Sequence, residues 1–134
     1  MNYYLDTNIC IYFLKGEYPG ILKKISSTNP NDIKIPVIVK AELLYGALKS
    51  KKSKQNLVSI ESFLEPFELI VFDNQAATIY GELRYGLDKK GTPIGPNDLL
   101  IASIVIANNG ILVTNNISEF SRIKGLKFEN WTSR

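Results

Sequence analysis

The sequence contains no histidine among its 134 residues, and this absence excludes several classes of enzyme. Histidine is the usual base of Ser-His-Asp and Cys-His enzymes, and it is the most common protein ligand in metal sites. Nucleophilic hydrolases of those types, histidine-mediated RNA transesterification and most zinc enzymes are therefore excluded. If the chain carries out chemistry, its carboxylates are the side chains that must do so.

Cysteine and long hydrophobic runs are also scarce. The single cysteine, Cys10, cannot form an internal disulfide, and its apolar neighbours indicate a small buried residue in a reducing compartment. The longest apolar run, residues 99–107, is broken by Ser103 and is too short to span a bilayer. No basic stretch followed by an apolar one opens the chain. We expect a cytoplasmic protein with no membrane association.

Charge and composition indicate one ordinary globular domain. The 16 basic and 13 acidic residues give a net charge of +3, which suits contact with nucleic acid but is too small to hold it by charge alone. A hydrophobic content of 45% is enough for a full core. We expect a single domain that spans residues 1–134.

Strands alternate with helices along the hydrophobic pattern, which is typical of an α/β fold with a mostly parallel sheet covered by helices on both faces. The predicted strands are residues 3–5, 33–35, 68–72, 111–114 and 126–129. The predicted helices are residues 9–14, 21–26, 37–49, 57–64, 75–89 and 99–107.

Two of these helices carry a more specific prediction. In the helix at residues 37–49, the spacing places Val37, Ala41, Leu44 and Leu48 on the buried stripe. The helix at residues 99–107 is apolar nearly all round, so it should pack between the sheet and other helices. The segment between residues 115 and 119 is predicted to be a turn.

Three acids are placed where they could meet at one edge of the sheet. Asp6 follows the first strand directly, and open α/β sheets bind their ligands at the carboxyl ends of the strands. Asp98 begins a helix that feeds a later strand, so it belongs to the same edge. Glu42 is further along its helix, but its long side chain leans toward the helix N-terminus. Each acid also has a structural alternative, as a helix cap, a partner of the helix dipole or a solvated side chain.

Other polar residues have two interpretations each. Asn116 and Glu119 have the spacing of a capping box, and they are also candidates for a metal site. Asp73 is interpreted as an ordinary helix cap. The lysines that follow residue 48 indicate either a surface that steers RNA or a solvated helix junction. These lysines are Lys49, Lys51, Lys52 and Lys54.

Four segments, taken in order, resemble the signatures of PIN-domain toxins of the VapC type. They are Leu5-Asp6-Thr7-Asn8, Glu42-Leu43-Leu44-Tyr45-Gly46, Gly91-Thr92-Pro93-Ile94-Gly95-Pro96-Asn97-Asp98, and Val113-Thr114-Asn115-Asn116 followed by Glu119-Phe120. The resemblance covers nearly the whole chain. It implies a five-stranded parallel sheet with the first strand central, and an endoribonuclease dependent on Mg²⁺ or Mn²⁺ that a cognate VapB-type antitoxin holds inactive.

The resemblance also implies site residues. The three leading acids of the family fall on Asp6, Glu42 and Asp98, as catalytic residues and metal ligands. Many relatives have an aspartate where this chain has Asn116. Either Glu119 therefore supplies the fourth acid or a second metal is weakly held.

Further roles follow from the same resemblance. Thr7 and Thr114 match hydroxyl positions that we expect to hold metal-bound water. An antitoxin segment that presents an arginine to the acids is expected beside Tyr12, Phe13 and Tyr45, a groove that is alternatively an RNA contact. A homodimer and a hetero-oligomer with the antitoxin are implied. Structured RNA is the implied substrate, with tRNA, and initiator tRNA in particular, as the first candidate.

Two other classes of function are alternatives to this one. The first is a noncatalytic PIN fold that only binds RNA or a partner. Loss of one of the three leading acids would favour this alternative, but all three acids are present. A phosphoacceptor or phosphatase domain also gathers aspartates at a sheet edge. It requires a close acidic pair on one strand and a lysine near the end of a later strand, and neither is evident.

Overall fold

Five short strands form one parallel sheet at the centre of the fold. In the computed structural model, which describes residues 1–132, the strands are β1 (Tyr3–Leu5), β2 (Ile33–Pro36), β3 (Glu68–Ile70), β4 (Ile111–Val113) and β5 (Lys127–Glu129). Their order is β3-β2-β1-β4-β5, and every neighbouring pair is parallel. The first strand is therefore central, and the predicted α/β class and parallel sheet are confirmed.

Helices connect the strands. They are α1 (Thr7–Lys15), α2 (Pro19–Ser27), α3 (Val37–Leu48), α4 (Ser53–Leu64), α5 (Asn74–Lys89), α6 (Pro96–Ala107) and α7 (Ile117–Phe120). The predicted turn at residues 115–119 is wrong in part, because it contains α7. A helix of four residues is one turn long, so its sequence is too short to show helical periodicity.

The core lies on both faces of the sheet. All three residues of β4 are buried, as are Tyr4 and Leu5 of β1. Helix α6 confirms its apolar pattern, because consecutive residues on several of its faces are fully buried. These residues are Ile101, Ala102, Ser103, Ile104 and Val105. Within residues 1–132, no helix combines the length and the apolar character needed to cross a membrane.

Helix α3 buries a different stripe from the predicted one. Val39, Leu43 and Ala47 are buried, whereas Leu48 is 65% exposed and Ala41 is also exposed. The helix is apolar on nearly every side, so periodicity alone could not select the inward face. The contacts of α3 with α1 and α4 make that selection.

The turn between α6 and β4 depends on a glycine. Asn109 has a positive φ of 54°, and Gly110 follows it against the ring of Tyr4. A Cβ atom at position 110 would overlap that ring. The absence of a side chain therefore lets β4 approach β1 closely enough to pair with it.

The carboxyl ends of the central strands meet at one edge. The N–H of Asp6 donates to the carbonyl of Val113 at 3.1 Å, which continues the pairing of β1 and β4 beyond the strands themselves. Helix α1 then begins at Thr7, and α3 begins directly after Pro36. Residues that follow the strands are therefore brought together at this edge.

Candidate active site

Asp6 is a buried carboxyl group at the end of the central strand. Its Oδ1 accepts a hydrogen bond from the N–H of Ile9 at 3.0 Å, so it caps α1, and its side chain also accepts one from the Thr114 hydroxyl. Only 5% of the residue is exposed. Burial raises the pKa of Asp6 from 3.8 to about 6, the nearby charge of Glu42 adds to the increase, and the two hydrogen bonds oppose it. Asp6 is therefore both a helix cap and an acid whose pKa is raised.

Glu42 is held by two donors from two other helices. The Thr7 hydroxyl donates to Glu42 Oε1, and Asn97 Nδ2 donates to Glu42 Oε2 at 3.1 Å. Thr7 is the first residue of α1, and Asn97 lies in the first turn of α6. These contacts direct the α3 carboxylate toward the strand edge that carries Asp6 and Asp98.

Asp98 and Glu119 form a close pair of carboxyl groups. The pKa of Asp98 is raised from 3.8 to about 7, and burial is the largest cause. The hydrogen bond with Glu119 and the charges of Glu119, Asp6 and Glu42 raise the pKa further. Glu119 Oε1 also accepts the N–H of Gly95 at 3.3 Å. The close approach of Glu119 therefore favours the protonated form of Asp98.

The structure thus brings Asp6, Glu42, Asp98 and Glu119 together, and we call these four residues the carboxylate cluster. Their mutual repulsion is part of the reason for the raised pKa values of Asp6 and Asp98. Within the described chain, no three carboxyl or thiol side chains are already arranged as the ligands of one ion. The donors are all oxygen atoms, which suit a hard cation that keeps most of its water and takes one or two protein carboxylates.

The two predicted hydroxyl residues both contact carboxylates. Thr114 is fully buried, and its hydroxyl accepts the N–H of Asn116 at 3.0 Å while donating to Asp6. Thr7 donates to Glu42. In this structure the two hydroxyls therefore position acids, and their expected role in holding metal-bound water stays a prediction.

The capping box suggested by Asn116 and Glu119 is absent. The side chain of Asn116 makes no capping hydrogen bond to α7, and the carboxyl group of Glu119 is directed to Gly95 and Asp98. The Thr114 hydroxyl takes the N–H of Asn116 that a box would have used. Of the two candidates for a fourth acid position, Glu119 is the one joined to the cluster by side-chain contacts. By contrast, Asp73 is the ordinary cap that was predicted, since its Oδ1 accepts the N–H of Ala76 at 2.9 Å.

Tyr12, Phe13 and Tyr45 each make a different contact in the structure. The Tyr12 hydroxyl accepts a hydrogen bond from Asn115 at 3.2 Å, while Phe13 packs against Phe63 with ring centroids 5.2 Å apart. Tyr45 is 65% exposed and has the ammonium of Lys49 4.8 Å from its ring centroid. The binding roles expected for these three aromatics stay predictions.

A cavity of about 410 Å³ lies between α1, α3 and α4, with Glu42 in its wall. Five apolar and five polar or charged side chains line it, and none of the three aromatics just described is among them. The lining residues are Ile11, Leu14, Lys15, Glu42, Leu43, Gly46, Ala47, Ser50, Asn56, Ser59 and Ile60.

The sequence of this chain is similar to that of known proteins. The PIN domain family matches residues 3–126, which is most of the chain. The chain belongs to the PIN-domain family. This PIN domain is 49% identical to Ribonuclease VapC2 of Rickettsia felis over 134 residues, with 98% of each chain covered. It is 38% identical to the tRNA(fMet)-specific endonuclease VapC of Salmonella typhimurium over 131 residues, again with 98% of each covered.

Solved structures show the same fold. The chain of this PIN domain superimposes on one in the crystal structure of VapBC2 from Rickettsia felis bound to a DNA fragment from their promoter, with a TM-score of 0.92 and 48% identity. The superposition covers 98% of this chain and 99% of that one. The recognised PIN-domain fold and its resemblance to VapC proteins are therefore confirmed.

One polar contact of this PIN domain was not predicted from the sequence. Asn97 bonds Glu42 from a position 55 residues further along the chain. The signal was weak: Asn97 is a polar residue beside Asp98 in the first turn of an otherwise apolar helix. A helix start commonly carries such residues, so nothing in the pattern assigned Asn97 a partner.

Proposed function

We propose that the protein is a divalent-metal-dependent endoribonuclease of the VapC type, with Mg²⁺ as its cofactor and Mn²⁺ as a substitute. The observation that carries this proposal is the carboxylate cluster at the carboxyl edge of β1. The names of the similar proteins, a ribonuclease and an endonuclease, support the same reaction class. A noncatalytic binding module is disfavoured, because that alternative gives no reason to keep four repelling acids together.

The donor set fits a hard cation. The cluster offers carboxylate oxygens, with two hydroxyl groups behind them, and the chain has no histidine. When bound, a divalent cation would lower the pKa of water and stabilise negative charge that develops on the phosphate. Asp6, Glu42 and Asp98 would hold the ion, with Glu119 as the fourth acid.

The residues of the chain prepare this site in separate ways. Burial of Asp6 removes competing water, and its contacts with Ile9 and Thr114 fix its orientation. A bound cation would favour the ionised form of Asp98, because positive charge lowers the pKa of nearby carboxyl groups. One ionised carboxylate of the cluster would accept the proton that a water molecule releases when it attacks the phosphate.

Cleavage of RNA under metal titration tests this proposal. Purified wild-type protein should cut RNA with Mg²⁺ or Mn²⁺ and stop cutting when a chelator is added. Asp98→Asn should remain folded and lose roughly 10³-fold or more in rate, because a metal-binding charge is removed. A noncatalytic PIN fold predicts RNA binding without cleavage at every metal concentration.

For the substrate, we infer structured RNA and take initiator tRNA as the first candidate. The support is the name of the Salmonella typhimurium relative, which describes a tRNA(fMet)-specific endonuclease. Sequencing the 5′ ends of cellular RNA after brief expression would identify the cut sites. Cuts confined to the initiator tRNA anticodon region would support the inference, and cuts spread over messenger RNA would contradict it.

We also infer a VapB-type antitoxin as the partner, within a hetero-oligomer that contains a toxin homodimer. Structures of relatives from Rickettsia felis and Salmonella typhimurium are VapBC complexes bound to DNA. The cavity between α1, α3 and α4 is a suitable receptor for an antitoxin segment, since Glu42 in its wall can pair with an arginine. Such a segment would cover the cluster from the side.

A substitution at Gly46 tests where the antitoxin binds. Gly46 lines the cavity, and a Cβ there would meet nothing within 4 Å, so Gly46→Phe should fill the cavity without disturbing the fold. Antitoxin affinity measured by calorimetry should fall about 100-fold, because a central apolar contact is blocked. Gly81→Phe on α5 is the matched control, since that position is also open. Equal affinities for the two variants would place the antitoxin elsewhere.

A further inference from the structure

The side-chain amide of Asn97 is the feature on which a further inference rests. Asn97 is exposed in the first turn of α6, and its Nδ2 lies 3.1 Å from Oε2 of Glu42. The other oxygen of the same carboxylate accepts the Thr7 hydroxyl from α1. Both oxygens of Glu42 are therefore held by helices other than its own.

We propose that Asn97 is a positioning residue, which holds the Glu42 carboxylate in the orientation needed to receive the cation. This inference rests on the proposed function, and it deepens that function by adding a residue that acts through Glu42. Asn97 itself need not touch the ion or the RNA. Its effect is to reduce the rotamers available to a flexible side chain before the ion arrives.

An amide is suited to this position for electrostatic reasons. A lysine or arginine at residue 97 would neutralise Glu42 and compete with the cation for it. An aspartate would add repulsion to a cluster that already raises the pKa of Asp98. The neutral amide donates a directional hydrogen bond and leaves the negative charge of the cluster intact. Each carboxylate oxygen keeps a second acceptor site for the ion or its water.

The place of Asn97 in the chain links two acids. It precedes Asp98 directly, so one turn of α6 carries one acid of the cluster and the donor that orients another. Thr7 also adjoins an acid of the cluster, since it follows Asp6, the N-cap residue of α1. Glu42, which comes from a helix further from the strand edge, is thus aligned by the two residues that adjoin Asp6 and Asp98.

Manganese binding to the RNA-free protein tests this role. In Asn97→Ala, the dissociation constant of Mn²⁺ measured by electron paramagnetic resonance should rise roughly 10-fold, as for other residues that orient a metal ligand. The melting temperature of the metal-free protein should change little, because Asn97 is exposed. Asn74→Ala is the matched control, since Asn74 also lies in the first turn of a helix, α5, and should bind Mn²⁺ as wild type does.

A double-mutant cycle shows whether Asn97 acts through Glu42. The measured quantity is the rise in melting temperature caused by excess Mn²⁺, which detects weak binding as well as strong binding. Asn97→Ala should reduce this rise in the wild-type background and leave it unchanged when Glu42→Ala is already present.

Three results would overturn the inference. Wild-type affinity in Asn97→Ala would show that the contact has no role in binding. An equal loss in both backgrounds would show that Asn97 acts on the ion without Glu42. Absence of Mn²⁺ binding to the wild-type protein would overturn the proposed function, and this inference with it. The first two results leave the proposed function standing, so the two failures are distinguishable.

Discussion

At the scale of single residues, Asp6 combines two roles that are often treated as alternatives. It caps α1 through Ile9, and it is also a buried acid whose pKa is raised to about 6. An asparagine retains the capping oxygen but cannot carry the charge. Substitution at Asp6 therefore separates the contribution of the cap from that of the charge.

We predict that Asp6→Asn stabilises the metal-free protein at neutral pH. A raised folded-state pKa means that ionisation of Asp6 costs stability as pH rises from 3.8 to about 6, and that the cost is constant above that range. A shift of about two pH units corresponds to roughly 3 kcal/mol in favour of the mutant. Urea unfolding with a chelator, between about pH 4 and pH 8, measures the difference.

The difference between the two proteins should shrink as acid protonates the wild-type cluster. Saturating Mg²⁺ should reverse the order by stabilising wild type more, since only the wild type keeps the full ligand set. A mutant that is less stable than wild type at every pH would contradict this prediction. It would show that the hydrogen bonds of the Asp6 carboxylate stabilise the fold by more than its burial destabilises it.

Glu119 and Asn116 differ in what their side chains contact, which gives a second prediction. Glu119→Gln should lower Mn²⁺ affinity and cleavage rate by roughly 10-fold or more, because Glu119 contacts Asp98 and the N–H of Gly95. Asn116→Ala should stay close to wild type, since its side chain does not cap α7. Calorimetry and RNA cleavage measure both effects. Loss of function in Asn116→Ala with a normal Glu119→Gln would assign the fourth position to Asn116.

At the scale of elements, a basic segment, residues 49–54, spans the connection between α3 and α4 and the start of α4. Its lysines are exposed, and within residues 1–132 no ion pair joins them to an acid. Lys49 also lies against the exposed ring of Tyr45, on the helix that carries Glu42. Exposed cations beside an aromatic ring suit contact with the phosphates and bases of RNA.

We predict that Lys51→Gln combined with Lys52→Gln raises the KM for RNA and leaves kcat unchanged. The slope of log affinity against log salt concentration should fall by about one to two, one for each phosphate that the protein no longer neutralises. Lys23→Gln combined with Lys24→Gln on α2 is the control pair, because it removes the same charge from a different part of the chain. Equal effects of the two pairs would mean that the basic segment is only a solvated junction.

The turn between α6 and β4 gives a prediction about stability. Gly110→Ala should destabilise the protein by about 1 to 3 kcal/mol, because the new Cβ overlaps the ring of Tyr4. Gly81→Ala on α5 should instead stabilise it by about 0.5 to 1 kcal/mol, since its Cβ meets no neighbour and alanine favours helix. Denaturant unfolding compares the two. A neutral Gly110→Ala would show that Tyr4 can move aside at little cost.

At the scale of the whole molecule, the sequence predicts what depends on local pattern and order along the chain. Local pattern predicts the alternating strands and helices, the acids at strand ends and the helix cap at Asp73. The family resemblance adds the central position of β1 in the sheet. The inward face of α3 was predicted wrongly because its apolar residues surround the helix. The inward face depends on packing against α1 and α4.

Two contacts of the site that the sequence did not predict also depend on how distant parts of the chain pack. The contact between Asn97 and Glu42 joins residues far apart in sequence, and its formation depends on how α3 and α6 pack. Glu119 reaches Asp98 because α7 forms where a turn was expected. Side-chain contacts of this kind follow from tertiary structure and leave no periodic signal in the sequence.

We expect the carboxylate cluster to direct water at an RNA phosphate, and the chemistry of the cleaved ends distinguishes this reaction from attack by the 2′-hydroxyl. An oligonucleotide with a single 2′-deoxy substitution at the cut site, incubated with Mg²⁺ and the purified protein, should still be cut. Its products should carry 5′-phosphate and 3′-hydroxyl ends, because water and not the 2′-hydroxyl is the nucleophile. If the substitution blocks cleavage and unmodified RNA yields 2′,3′-cyclic phosphate ends, the 2′-hydroxyl is the nucleophile and the cluster does not direct water.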